Sequence, residues 1–331
     1  MNKNMTSRGL AEGAIMAAIS AILIFAGSMP LVGVFLLIFS GIPITIATVR
    51  NGVFTGVLST VLTTILVSII LGPLSAVINA LEYLSIGLVM GYMLYHKKKG
   101  SKTLQTVIIA AIITSIISFG ITVGVMGISA DSLTEAIDQY QTEMMDMYQE
   151  SGMFSNMLSD GVSEIQLTEM LQQSIQFMVQ FLPAILIISR CVMAVAIYYL
   201  SIFILKRLRI KVPRIKGFQK WTLPSWTIWG LIVTWALWLG KDYIPMKWLN
   251  ILILNMMLLF AALLFINGLA VTFYWFKVKQ MSTFMKVIGV LFIIFFFSGF
   301  LVACSCVGLA DLLFDFRKLR SDNRRMNVRK D

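Results

Sequence analysis

The chain has 331 residues, 58% of them hydrophobic and only 13% charged, with a formal net charge of +11. A soluble protein of this length has no interior large enough for so much apolar side chain, and several stretches reach the ~20 apolar residues that cross a bilayer core, so a water-soluble fold is excluded. The fold class is an all-α, polytopic helical membrane protein, and the basic residues lie at the ends of apolar segments, which is a membrane-topology pattern and no sign of nucleic acid.

The first span is read at residues 10–28. Lys3 and Arg8 ahead of an apolar stretch imitate a signal peptide, but Glu12 interrupts the stretch and a second apolar run follows at once. Ala14-x-x-x-Ala18 and Ala17-x-x-x-Ala21 give this span small residues at the spacing that lets another helix approach closely. The second span, 31–49, carries Pro43 and ends in the basic turn Arg50-Asn51-Gly52. Span three, 53–71, is rich in Thr, Ser and Val, and Gly72-Pro73 turns the chain into span four, 74–95. That span holds Asn79, Glu82, Tyr83 and Gly87-x-x-x-Gly91, then exits into His96-Lys97-Lys98-Lys99. Span five covers 104–128.

Residues 130–174 form the one long hydrophilic stretch. It has nine acidic residues and no Lys or Arg, so it is expected on the outer side of the cell membrane, with the N-terminus cytoplasmic. Ser132-x-x-Glu135 predicts a helix start, and Leu133, Ile137, Tyr140, Met144 and Met147 or Tyr148 recur at helical spacing up to a stop at Gly152. Ser163-x-x-Gln166 opens a second helix that leads into span six, 177–205, with Pro183 and Arg190 inside it. The exit carries seven basic residues from Lys206 to Lys220 and no acidic one, a cytoplasmic loop.

Three further apolar segments follow, 222–240, 249–276 and 284–314, before a tail with Arg317, Lys318, Arg320, Arg324, Arg325, Arg329 and Lys330. A cytoplasmic tail requires eight spans, with the Trp-rich segment 222–240 not fully crossing; nine is the alternative, since eight leaves Lys277, Lys279 and Lys286 outside. The organisation is therefore a six-helix domain at 1–206, a basic loop at 207–221, a helical membrane block at 222–316 and a basic tail at 317–331.

Catalytic signatures are absent. No G-x-x-x-x-G-K-[ST], H-E-x-x-H or G-x-S-x-G occurs, one histidine (His96) makes no usual zinc site, and Cys191, Cys304 and Cys306 all lie in apolar segments. The chain is expected to be no enzyme and to hold no metal and no cofactor. Intramembrane ionisable residues are functional candidates by default. Glu82 and Arg190 both fall roughly 12–13 Å from the same side on antiparallel spans at 1.5 Å per residue, so they are expected to pair, with Asn79 one turn away as a third polar group. A buried pair that only fixes helix register is the competing reading. Asn255 and Asn267 are read as interhelical hydrogen-bonders, with ligand contact as the other possibility.

The run Ala-Glu-Gly-Ala-Ile-Met-Ala-Ala-Ile from Ala11, the Val49-Arg50-Asn51-Gly52 turn, Gly72-Pro73 and the closing Gly308-Leu309-Ala310-Asp311 with Phe314-Asp315-Phe316-Arg317-Lys318 resemble the YybS-like DUF2232 membrane proteins of Firmicutes. The N-terminal portion is similar to the S components of energy-coupling-factor vitamin transporters, which have six helices and dock a shared coupling subunit through small residues of the first helix. That resemblance implies a small-molecule binding and uptake component energised by a separate ATPase, with Ala14, Ala18 and Ala21 as docking candidates; Glu82, Arg190 and Asn79 are the ligand-binding candidates on the ground of their polar character within the spans. Its other reading is a non-transporting scaffold or regulator that contacts a cytoplasmic or envelope partner. Either way the first partner is the lipid bilayer.

Overall fold

A computed structural model describes residues 6–29, 33–127, 164–213, 217–243, 246–280, 282 and 297–318, with six isolated positions between 135 and 147. The expected helix start at Ser132 and stop at Gly152, Lys286, and the tail after Lys318 lie outside the described residues. The described chain is all α-helical, without a strand, and forms two compact units. Unit 1 is Met1–Ile175 with Ser189–Ile215; unit 2 is Gln176–Ile188 with Lys216–Asp331. Among the described residues six helices are long and apolar enough to cross a membrane, and Phe35–Asn51, Trp226–Gly240 and Gly299–Phe314 are shorter apolar helices. The chain is a polytopic membrane protein.

Unit 1 begins with α1 (Ser7–Gly27), capped by Thr6, whose Oγ1 accepts the Gly9 N–H at 3.2 Å. Helix α2 (Gly33–Asn51), α3 (Val53–Leu71), α4 (Pro73–Asn79), a π turn (Ala80–Leu84), α5 (Ser85–Tyr95) and α6 (Gly100–Met126) follow. Lipid is as apolar as leucine, so burial alone does little to hold such helices together; close backbone approach and hydrogen bonds do. One stripe of α1 is small and buried: Gly9, Gly13, Ala17, Ser20 and Ala21. Against it α3 lays Ser59, which donates to the Gly13 carbonyl at 2.9 Å, and Thr63, which donates to the Ala17 carbonyl at 3.2 Å.

Helices α2 and α5 cross backbone to backbone. A β-carbon on Gly41 would lie 2.6 Å from the Tyr83 carbonyl oxygen, and Thr45 donates across the crossing to the Gly87 carbonyl at 2.9 Å. The Gly87-x-x-x-Gly91 pattern is thus the seat of α2, with Gly91 against Thr48. Pro43 supplies no N–H to its helix, and the neighbouring Ser40 carbonyl accepts from Ser20 of α1 at 2.8 Å. Ala21, Ile24, Ile44, Val67, Ala76 and Leu84 make the apolar centre. Large aliphatics such as Val61, Ile65 and Ile69 of α3 and Ile109, Ile113 and Ile116 of α6 point outward, which suits a surface wetted by acyl chains.

Helix α7 (Glu164–Arg207) is one 44-residue element, so the helix expected to open at Ser163 runs on into span six. Its residues Gln176–Ile188 belong to unit 2 and its later turns to unit 1. Unit 2 adds α8 (Trp226–Gly240), α9 (Lys247–Val278) and α10 (Phe297–Phe314). The 15 residues of α8 measure about 22 Å at 1.5 Å per residue, short of a ~30 Å hydrocarbon core. Helices α9 and α10 repeat the glycine crossing: a β-carbon on Gly308 would sit 2.8 Å from the Gly268 nitrogen.

Candidate functional site

The span Pro73–Tyr95 is not a uniform α-helix. Gly72, at φ +85°, and Pro73 start it, and five residues from Ala80 to Leu84 open into a π turn. A π turn inserts one extra residue per turn and re-aims the side chains on it, a distortion often found at functional positions. Here it carries Glu82 and Tyr83. Side-chain hydroxyls and amides steady its flanks: Ser85 bonds the Leu81 carbonyl, and the Asn79 amide donates to the Ser75 carbonyl at 2.8 Å.

Glu82 meets Arg190 of α7, Nη2 to Oε1, at 2.8 Å, the pair expected from matching depth. The same oxygen accepts from Ser118 of α6 at 3.3 Å. The two charged side chains are 14% and 19% exposed, and Tyr83 adjoins both. Asn79 is therefore not the third member of the cluster: its amide turns back onto its own helix, and Ser118, which sequence spacing did not single out, takes that place. An arginine has five donors in a planar fork. The Nε of Arg190 is buried and has no hydrogen-bond partner among the described residues, which use only half of the guanidinium edge that would grip a carboxylate two-handed.

A second polar cluster in unit 1 explains two sequence motifs at once. Arg50 pairs with Glu12 at 2.6 Å, and the Asn51 amide donates to the other Glu12 oxygen at 3.0 Å. The Ala11-Glu12-Gly13 and Arg50-Asn51-Gly52 motifs therefore meet, with Gly13 giving room for Thr55 and Ser59, and Gly52, at φ +99°, lying beside Tyr95. Arg50 is 47% exposed, so the pair contributes at most about 1 kcal/mol and acts as a tether.

Unit 2 holds a cluster that charge counting missed. Arg317, grouped with the solvated tail in sequence, is buried. Its Nη2 meets Asp311 at 2.7 Å and Asn267 at 2.9 Å, its Nε bonds both Asp311 oxygens at 3.2 Å, and its Nη1 donates to the Gln219 carbonyl at 3.0 Å. Asn267 also donates to the Gly308 carbonyl at 2.8 Å, which makes it the interhelical link expected of it. The available signal was the acid inside the last turns of α10, six residues before the arginine.

On α1 the three candidate docking alanines divide. Ala14 and Ala18 are exposed, and Ala14 edges a groove of about 220 Å³ with Leu10, Thr55, Leu58 and Leu62. Ala21 is 4% exposed and belongs to the apolar centre, so it turns away from any partner: the helical period puts it with Ala17, on the inward stripe. Among the described residues no three His, Cys, Asp or Glu side chains gather as a metal site requires.

A family model described as "Predicted membrane protein (DUF2232)" matches residues 17–312. The uncharacterised protein YybS of Bacillus subtilis (strain 168) is 23% identical over 315 residues, covering 94% of this chain and 98% of that protein. No solved structure matches the chain. A family match over most of the chain makes it a member of the DUF2232 family of predicted membrane proteins.

Proposed function

We propose that unit 1 binds a small anionic solute at Arg190 and Glu82, and that the protein is the binding component of an uptake system energised by a separate ATPase. The observation that carries this reading is the buried Arg190 Nε, which has no hydrogen-bond partner among the described residues and lies within membrane-spanning helices beside a π turn. Holding a guanidinium at mid-membrane costs at least ~2.5 kcal/mol on insertion scales, and leaving one of its donors idle adds to that, so a site that exists only as a clasp would be expected to use it. Entry is from the side of the acidic stretch 130–174, taken as extracellular, with the N-terminus and the 207–221 loop cytoplasmic. The exposed Ala14 and Ala18 face is where a membrane coupling subunit would dock, as the resemblance to S components implies.

A scaffold is the second reading, and the direct 2.8 Å contact between Glu82 and Arg190 favours it, because a closed pair needs no ligand. Purification from native membranes in mild detergent, with mass spectrometry of both proteins and small molecules, separates the two. Transport predicts a co-purifying membrane subunit, an ATPase and an acidic small molecule that is lost from Arg190→Gln. A soluble enzyme or an envelope-assembly protein in their place, with no small molecule, sinks it.

A further inference from the structure

Three stretches of unit 2 that lie far apart in sequence meet at one end of it. The Gln219 carbonyl accepts from Arg317 Nη1 at 3.0 Å, and Arg317 Nη2 also meets Asn267 of α9 at 2.9 Å. One residue before Gln219, the Phe218 ring packs edge-on against Phe273 of α9, 5.8 Å between ring centres. The short turn Phe218–Lys220, the later turns of α9 and the end of α10 are thus fastened together. Lys220 comes next in the chain, and Lys277 lies four residues past Phe273, about 6 Å along the helix. A count of eight spans puts Lys277 and Lys279 outside; these contacts bring them instead to the end where the basic loop enters unit 2.

Lys220, Lys277 and Lys279 are all exposed. Among the described residues the acids at this end are Asp311, buried against Arg317, and the half-buried Asp315. Exposed aromatic rings stand among the cations. Trp275 carries Lys279 Nζ 5.5 Å from its ring centre, and Phe314 and Phe316 are exposed at the end of α10. Rings and lysines together suit the boundary between acyl chains and headgroups, where the ring stays in the interface and the ammonium reaches the phosphates. The opposite end of the unit lies a bilayer away: from Phe273 back to Lys247, α9 runs about 39 Å, more than the ~30 Å hydrocarbon core.

We infer that this end of unit 2 is a headgroup-binding face, at which Lys220, Lys277 and Lys279 hold the phosphates of anionic phospholipids in the cytoplasmic leaflet. Only the choice of leaflet rests on reading the 207–221 loop as cytoplasmic; the face does not depend on uptake. The Trp-rich segment then crosses the bilayer after all, because the chain leaves this face at Trp221 and must reach the start of α9 at the other. Residues 221–225 and 241–246 supply the length that α8 alone lacks.

The test uses the full-length protein in two arms. In the first, Lys211→Cys, Tyr243→Cys, Lys279→Cys and Phe316→Cys are made singly and treated with a membrane-impermeant maleimide in intact and in opened cells, with the site read by peptide mass spectrometry. Positions 279 and 316 are expected to label only after opening, as 211 does, and 243 without it. Labelling of 279 or 316 on the side of 243 overturns the face. Labelling of 211, 279 and 316 in intact cells, with 243 protected, overturns the cytoplasmic leaflet. In the second arm, phosphatidylglycerol competes with phosphatidylcholine in mixed micelles, and the lipid retained is read by native mass spectrometry. Lys220→Gln, Lys277→Gln and Lys279→Gln are each expected to lower the preference for phosphatidylglycerol about fivefold, the attraction of one cation to an anionic surface. Lys241→Gln is the matched control: Lys241 also lies over a tryptophan, Trp238, at 5.4 Å, but at the other end of α8 and beside Asp242. An unchanged preference in the triple variant, or an equal loss from Lys241→Gln, overturns the headgroup assignment. So does an acidic protein that is lost with the three lysines while the lipid preference holds. Neither arm needs the uptake ligand, so a failure to find one leaves both readouts intact.

Discussion

The Glu82–Arg190 and Asp311–Arg317 pairs are made of the same groups, each an acid and an arginine within a helical membrane unit, yet they are built differently. Arg317 is enclosed, and Nε, Nη1 and Nη2 all find acceptors on Asp311, Asn267 and the Gln219 carbonyl. Arg190 bonds one oxygen of Glu82 and adjoins Tyr83, retains partial exposure, and its Nε has no acceptor among the described residues. An enclosed guanidinium bonded through all three nitrogens serves to hold structure, because a newcomer would have to displace bonds already made. An under-occupied one keeps binding capacity in reserve. The difference also shows in the backbone: the Asp311 carboxylate stands on a regular helix, whereas Glu82 stands on a π turn.

The sharpest way to break this contrast is to open the closed pair. Removing one partner of a buried pair typically costs about 3–5 kcal/mol because the other charge is stranded. Arg317→Gln and Asp311→Asn should each strip most of the folded protein from the membrane, as read by detergent-resistant yield and Tm. Exchanging the two residues should rescue nothing, since Asn267 and the Gln219 carbonyl are placed to receive a guanidinium at 317. A swap that restored Tm would show the cluster to be a simple ion pair.

At Glu82 and Arg190 the expected loss is smaller, about 1–3 kcal/mol for either single change to Gln, as for an unmet polar group that retains some access to solvent. Here the exchange of Glu82 and Arg190 should recover part of the lost Tm, because little beyond Ser118 reads which side carries which charge. Retention of a co-purifying small acid should not recover. Full recovery of both would make this pair a clasp like the other one, and a swap no better than the two single changes combined would mean the residues are not energetically paired.

How much of this was legible beforehand follows from which signals are local. Depth along a helix is set by rise per residue, so the meeting of Glu82 and Arg190 was readable from their distances to the span ends. The π turn, the turning of the Asn79 amide onto its own helix and the arrival of Ser118 were not, because they depend on which groups the surrounding backbone and the neighbouring helix offer. Arg317 was misplaced for a related reason: counting basic residues treats a tail as one block, while Asp311 draws the first of them inside. Gly87-x-x-x-Gly91 was visible as a packing pattern, but its partner, Gly41, was not, since a lone glycine has no spacing to reveal it. Asn255 was readable as a hydrogen-bonder; that its partners would be the Ala184 N–H and the Gln180 carbonyl, on either side of Pro183, required the fold.

The smallest expected effect on the folded state concerns α1, and it extends the contrast between occupied and open groups from charges to surfaces. Ala17 and Ala14 differ only in the face they occupy. Ala17 is fully buried and its carbonyl accepts from Thr63, so Ala17→Leu must push α3 away and should cost about 1–3 kcal/mol, the usual range for overpacking. Ala14 and Ala18 are exposed, so Ala14→Leu and Ala18→Leu, singly or together, should leave Tm within the ~0.5 kcal/mol scatter of surface changes. If this outward face receives another transmembrane helix, the same two leucines exclude it sterically, because close approach depends on the missing side-chain volume. The double variant should then stay folded in the membrane and lose its membrane partner in pull-down, while Ala17→Leu loses stability first. Retention of every partner by a stably folded Ala14→Leu/Ala18→Leu protein would make the outward face a lipid contact and remove the residue-level support for a docked coupling subunit. A large drop in Tm from the same substitutions would show instead that this face is packed within the protein.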